Sequence, residues 1–131
     1  MSTRETRIPG PDHPITVEMT EARVVARVGG HVVADTTRAL TLQEASYPAV
    51  QYIPLEDVDQ TLLASSQTQT YCPYKGDASY YSIVLPGTQD AGALTDAIWT
   101  YREPYDAVAS IANHVAFYPD RVEVVVGAEE V

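Results

Sequence analysis

Two runs of β-branched residues that flank a pair of glycines constrain the fold more than any other feature of this chain. The runs lie within residues 22–35 and meet at Gly29 and Gly30. β-branched side chains favour extended strands, and a type I′ turn needs positive φ at both central positions, which glycine adopts without strain. The segment therefore predicts a β-hairpin that turns at the two glycines.

Alternating polar and apolar residues extend this pattern along the chain. Ile15, Val17 and Met19 alternate with polar residues, which indicates a half-buried strand. Further strands are predicted at residues 67–72, 78–85 and 94–101, and a second hairpin at residues 115–126 that turns at Pro119. Apolar spacing predicts short helices at residues 55–63 and 104–112, and residues 86–92 read as a loop. About eight strands with two short helices predict a mainly antiparallel β fold, closed as a small barrel or folded as a sandwich.

The chain has 131 residues, which is the length of one domain. Residues 1–14 are predicted to form an irregular N-terminal tail, since their three prolines and a glycine cannot sustain a helix or a sheet. The predicted domain spans residues 15–127, and residues 128–131 form a short C-terminal tail.

Charge and cysteine content narrow the class of partner. Eighteen acidic against eight basic residues give a net charge of −10, so we expect no nucleic acid and no membrane partner, and a small-molecule ligand instead. No apolar run reaches the about 20 residues of a membrane span, and a single cysteine forms no internal disulfide, so we expect a cytoplasmic protein. No metal-ligand set or phosphate-binding glycine loop is present in the sequence, so we expect no metal and no cofactor. A homodimer is left open.

The segment of residues 71–81, YCPYKGDASYY, is the best candidate site. It contains the only cysteine, Cys72, the only lysine, Lys75, and four of the nine tyrosines. Pro73 ends one predicted strand, Gly76 permits a tight turn, and the next strand follows, so the motif straddles a strand-turn-strand. A thiol and an ammonium are therefore expected close together among phenol rings.

Each of these two residues has two interpretations. Cys72 is either a small buried apolar residue or a reactive thiolate favoured by the neighbouring ammonium. A catalytic thiolate usually needs a histidine, and His13, His31 and His114 are scattered along the sequence. Lys75 is either a solvated turn residue or a desolvated amine that anchors an anion or attacks a carbonyl.

The aromatic residues complete the predicted site. Tyr80 and Tyr81 point to opposite faces of their strand, so one of them faces the core and the other the site. Trp99 and Tyr101 share a face by the same rule. We predict Cys72, Lys75 and Tyr80 as catalytic residues, and a second group as ligand-binding residues: Tyr52, Tyr74, Trp99 and Tyr101.

Five stretches carry a resemblance to a known family, at residues 32–40, 52–54, 72–80, 99–101 and 115–120. In order, and over nearly the whole domain, they resemble the bacterial and fungal family catalogued as domain of unknown function four-two-seven. The resemblance implies a compact all-β fold of the β-tent type, shared with zinc-knuckle proteins and methionine sulfoxide reductases of the selenoprotein R type. The zinc cysteines of those relatives are missing here, and Tyr71 stands where many members have a histidine. The family also carries a nucleotidyltransferase label, and this sequence lacks the carboxylates and glycine-serine loop of classical nucleotidyl transfer.

Two functions follow from the candidate site. The first is an enzyme that uses Cys72, Lys75 and tyrosine hydroxyls for acid-base or covalent chemistry on a small anionic or carbonyl metabolite. The second is a non-catalytic binding module, in which the tyrosine and tryptophan rings form a cage for a small ligand.

Overall fold

The computed structural model describes residues 6–85 and 94–127. Within these ranges ten strands form: β1 (Ile15–Met19), β2 (Val24–Val28), β3 (His31–Thr36), β4 (Leu40–Glu44), β5 (Val50–Pro54), β6 (Leu63–Cys72), β7 (Gly76–Ile83), β8 (Ile98–Thr100), β9 (His114–Phe117) and β10 (Glu123–Val126). Short 3-10 turns at Leu55–Asp57, Gln60–Leu62 and Asp106–Ile111 occupy the places predicted for helices. The prediction of a mainly β fold is confirmed.

The strands form two antiparallel sheets. The larger sheet has seven strands in the order β1-β4-β5-β9-β8-β7-β6, and the smaller sheet has three in the order β10-β2-β3. No helix in the described part of the chain is long and apolar enough to cross a membrane.

The larger sheet buries apolar side chains on both of its faces. Neighbouring residues in its strands point to opposite faces, so Ile53 joins one core cluster and Tyr52 the other. The first cluster packs the larger sheet against β2 and β3 of the smaller one. The second lies on the opposite face, where the turn Asp106–Ile111 covers part of the sheet with Val108 and Ile111. The rest of this second face holds the cavity described below.

The glycine hairpin forms as predicted. Val28 pairs with His31 across the turn, and φ is 54° at Gly29 and 84° at Gly30. Both values lie in the region that β-carbons disfavour, which explains why two glycines stand there.

The predicted hairpin at residues 115–126 is wrong. β9 has β5 on one side and β8 on the other, so both of its edges are already paired and β10 cannot join it. The chain does turn after β9, where the amides of Arg121 and Val122 both donate to the Tyr118 carbonyl at 3.0 Å. This turn redirects the chain to the smaller sheet, where β10 pairs with β2.

Four other predicted segments are a strand, a loop and the two tails. The strand predicted at residues 94–101 is confined to Ile98–Thr100. The predicted loop at residues 86–92 and the predicted C-terminal tail lie outside the described residues. Of the predicted N-terminal tail, residues 6–14 are described and contain one isolated bridge between Gly10 and His13.

Candidate active site

The second face of the larger sheet contains a cavity of about 250 Å³. Residues from four strands and the segments beyond them line it: Leu42, Glu44, Tyr47, Pro48, Val50, Tyr52, Lys75, Tyr80, Trp99, Tyr101 and Tyr118. Tyr80 and Trp99 lie directly opposite each other on β7 and β8, so their side chains share this face. The wall is therefore mainly aromatic, with one cation and one anion.

The turn between β6 and β7 places Lys75 inside the molecule. The Lys75 amide donates to the Cys72 carbonyl at 3.2 Å, and the Tyr105 amide donates to the Lys75 carbonyl at 3.0 Å. Gly76 follows with φ of 111°, and a β-carbon there would lie 3.4 Å from the Glu103 carbonyl oxygen. The backbone of this turn is thus held from both sides, which fixes the direction of the lysine.

The Lys75 ammonium is enclosed by three groups. Nζ donates to Glu44 Oε1 at 2.5 Å and lies 3.7 Å from Cys72 Sγ. It also lies 5.9 Å from the centre of the Tyr101 ring, a cation-π distance. The lysine side chain is only 10% exposed, so the geometry is that of a desolvated amine and not of a solvated turn residue.

Glu44 carries the matching negative charge and has a second partner. His13 Nε2 donates to Glu44 Oε2 at 2.7 Å, and the glutamate side chain is 16% exposed. Burial raises the pKa of the Glu44 carboxyl, but the hydrogen bonds and charges of Lys75 and His13 outweigh it and leave the pKa below its ordinary value. Glu44 is therefore ionised at neutral pH.

Residues 6–14 lie across the outside of the motif. The His13 ring stacks on Tyr74 with centroids 4.1 Å apart and planes at 8°. The Arg7 amide donates to the Pro73 carbonyl at 2.9 Å, and the Ala45 amide donates to the Pro14 carbonyl at 2.8 Å. These contacts bring His13, which the sequence places in a tail, to the ion pair.

Three phenols of the cavity, those of Tyr52, Tyr101 and Tyr118, are protonated at neutral pH. Burial raises the pKa of Tyr52 and Tyr101 far above the ordinary value, and burial with a hydrogen bond to Tyr80 raises the pKa of Tyr118 to about 12. Trp99 Nε1 donates to the Tyr52 hydroxyl at 3.1 Å. The Tyr101 hydroxyl has no hydrogen-bond partner among residues 6–85 and 94–127, although it lines the cavity. It is thus a donor open to a ligand.

The structure brings together most of the residues predicted for the site. The cavity wall includes Tyr52, Lys75, Tyr80, Trp99 and Tyr101. Two predicted residues lie elsewhere: Cys72 sits behind Lys75, where it packs with the second core cluster, and Tyr74 faces outward onto His13.

Tyr80 and Tyr81 do face opposite ways. Tyr80 belongs to the cluster on the cavity face, while Tyr81 packs against the cluster between the two sheets. The alternation along β7 therefore assigns the cavity side to Tyr80.

Sequence reasoning missed Glu44, Tyr47 and Tyr118. A signal for Glu44 is present: Leu40, Leu42 and Glu44 alternate along β4, so an acid continues an apolar face. Such an acid needs a buried partner, and the only lysine of the chain supplies it. Tyr118 follows the end of β9 and shows no comparable pattern.

Metal ligation has no evident place among the described residues, where no three His, Cys, Asp or Glu side chains are grouped so that they can hold an ion. The fold and the site define a class: an all-β protein with a small aromatic cavity built around a buried ion pair. Residues 16–128 match the family described as domain of unknown function (DUF427), and the chain belongs to that family. The resemblance stated from the sequence is confirmed. No curated protein matches the chain.

Proposed function

We propose that this protein is a small-molecule enzyme that binds a carbonyl metabolite in the aromatic cavity and transfers a proton at the carbon next to the carbonyl. One observation carries the proposal: an ammonium, a carboxylate and an unpartnered phenol, those of Lys75, Glu44 and Tyr101, converge on one small cavity.

The burial of the ion pair supports a functional role. Removing two charges from water costs free energy that their attraction repays only in good geometry, so such pairs are weak contributors to stability. Charged groups held in a cleft with specific partners are concentrated at functional sites. The Lys75 and Glu44 side chains meet both conditions.

The positive side of the site suits a carbonyl oxygen. The Lys75 ammonium has three N–H donors, of which Glu44 uses one and the Cys72 sulfur faces another. In the proposed complex the carbonyl oxygen accepts from the third N–H, in place of its contact with the Tyr101 ring face, and from the Tyr101 hydroxyl. Donors fixed around a developing oxyanion stabilise the transition state without reorganising during the reaction.

The negative side of the site supplies the base. Glu44 takes the proton from the carbon next to the carbonyl, the C–H electron pair forms the carbon-carbon double bond, and the carbonyl π electrons move to the oxygen. Return of the proton to carbon completes the cycle without an oxidant. Carboxylates perform this task in other enzymes, and the lowered pKa of Glu44 makes it a weaker base than an unperturbed carboxylate. Cys72 lies behind Lys75 and is assigned no covalent step.

The alternative is the non-catalytic binding module. The observation in its favour is the pair of rings at one wall, where Trp99 and Tyr118 lie 4.5 Å apart with planes at 48°. Ring faces of this kind bind flat or apolar groups by stacking. In that case the ion pair fixes the orientation of the ligand and no proton moves.

Proton transfer in heavy water separates the two functions. Pyruvate and related 2-oxo acids are incubated with the protein in D₂O, and the loss of the C–H signal next to the carbonyl is followed by NMR. We expect exchange that depends on Glu44, and a loss of about a hundredfold in Tyr101→Phe because one oxyanion donor is removed. Tyr81→Phe, on the other face of the same sheet, is the control with unchanged exchange. Binding without exchange would favour the module, and the absence of both would refute the proposal.

The cellular setting is part of the proposal. The net charge of −10 favours a small molecule over nucleic acid as partner, and the single cysteine suits the reducing cytoplasm.

A further inference from the structure

We infer that the substrate is amphipathic, with its carbonyl end in the aromatic cavity and an unbranched apolar tail in a groove that continues from it. This inference rests on the proposed function and specifies the class of substrate. The groove has a volume of about 590 Å³, and it belongs to none of the steps derived above.

The groove is mainly apolar. It is formed by the segment before β5 and the start of β5, by one residue each of β8 and β9, by the segment after β9 and by β10. Its lining residues are Tyr47, Pro48, Ala49, Val50, Gln51, Trp99, Phe117, Pro119, Val124 and Val126. No charged side chain is among them, in a chain of which 20% is charged. A charged or strongly polar ligand group would lose its hydration there without a partner.

The groove and the cavity share a wall. Four residues line both: Tyr47, Pro48, Val50 and Trp99. In the inferred complex, the ligand extends past these shared residues from the Lys75 end into the groove. The cavity alone is smaller than the roughly 300–1,000 Å³ of ordinary small-molecule sites, and the groove supplies the missing volume.

The groove also accounts for exposed apolar side chains. Tyr47 and Val126 are two of the five large apolar residues that are exposed in the described chain, and both lie on it. A contiguous exposed apolar patch is a common mark of a binding surface. An alkyl tail would cover it, whereas its polar end would keep the contact with Lys75.

Chain length provides the test, and the protein carries its own probe. Trp99 is the only tryptophan and lies where the cavity meets the groove, so its fluorescence reports binding at either place. The affinities of pyruvate, 2-oxohexanoate and 2-oxodecanoate are measured by titration. We expect the dissociation constant to fall by about fourfold for each methylene that enters the groove. An affinity that does not change with chain length would overturn the inference.

A matched pair of substitutions locates the tail. Val126 is 50% exposed on the groove and Val84 is 40% exposed away from both the groove and the cavity. Val126→Gln should weaken the binding of 2-oxodecanoate by about fourfold or more, which is the effect of one buried methylene. It should leave the affinity for pyruvate unchanged. Val84→Gln should affect neither ligand. Equal effects of the two variants would contradict a tail in the groove.

The two proposals fail in different ways. If affinity rises with chain length but no member of the series exchanges protons in D₂O, the ligand tail binds in the groove and the enzyme proposal is wrong. If pyruvate exchanges and longer acids bind no better, the enzyme stands and the amphipathic substrate is wrong. A second copy of the chain seated on the groove would appear as a dimer in analytical ultracentrifugation that Val126→Gln dissociates, and that result would also overturn the inference.

Discussion

Lys75 and Glu44 should stabilise the fold only as a pair, and a double-mutant cycle measures this. Breaking a fully buried pair by removing one partner costs about 3–5 kcal/mol. Here the side chains are 10% and 16% exposed, and Glu44 keeps His13 as a partner. We therefore expect Lys75→Met and Glu44→Gln each to lower the free energy of unfolding by about 2 kcal/mol.

The double variant should lose no more than either single variant. It leaves neither an unpaired carboxylate nor an unpaired ammonium, so the expected loss is smaller than in either single variant, about 1 kcal/mol or less, and the coupling energy is about 3 kcal/mol. Urea unfolding followed by circular dichroism measures each value. With a slope of about 2 kcal/mol/M, each single variant shifts the midpoint by about 1 M and the double variant by about 0.5 M or less.

The exposed pair of Arg27 and Glu123 is the matched control, with 2.9 Å between its charged atoms. Exposed ion pairs have coupling energies of about 0.2–1 kcal/mol. The losses in the free energy of unfolding caused by Arg27→Met and Glu123→Gln should therefore be nearly additive. If the Lys75 and Glu44 substitutions were also additive, the two charges would not interact and our description of the site would be wrong.

Three further predictions concern the same region. The pKa of Glu44 lies below its ordinary value of 4.5. The carboxylate therefore contributes to stability above pH 4.5, and this contribution is lost as the pH falls through the lower pKa of the folded state. Across this pH range, the urea midpoint should decline more steeply in the parent protein than in Glu44→Gln. Gly76→Ala should cost about 1–3 kcal/mol because φ is 111° there, and Gly10→Ala, where nothing lies near the added β-carbon, is the thermal-melting control. Alkylation of Cys72 by iodoacetamide should be slower in Lys75→Met, which removes the positive charge 3.7 Å from the sulfur; equal rates would show that the two groups are not coupled.

Local sequence patterns predicted the parts of the fold that local chemistry determines. The turn at Gly29 and Gly30 depends on two adjacent φ angles. The alternation of side chains along β7 was enough to predict that Tyr80 and Tyr81 face opposite sides of the sheet. The pairing of β10 was predicted wrongly because it depends on which strand edges remain free after the rest of the sheet has formed. No property of residues 115–126 encodes that information by itself.

The residues of the candidate site also differ in how well the sequence predicts them. Lys75 was recognisable because it is the only lysine and stands in an aromatic turn. Its partners come from far along the chain, Glu44 from β4 and His13 from the segment before β1. Spacing in sequence carries no sign of these contacts, since the sheet order and the path of residues 6–14 create them.

The pairing of β10 with β2 also bears on how the protein is made. β2 lies in the middle of the smaller sheet, yet one of its neighbours is the last described strand to leave the ribosome. Until then, an edge of Val24–Val28 stays unpaired on the nascent chain, and such edges are templates for aggregation. Contacts between distant parts of a chain also slow folding. The yield of folded protein in cells should therefore depend on the rate of translation and on chaperones. Lower growth temperatures should favour the native protein.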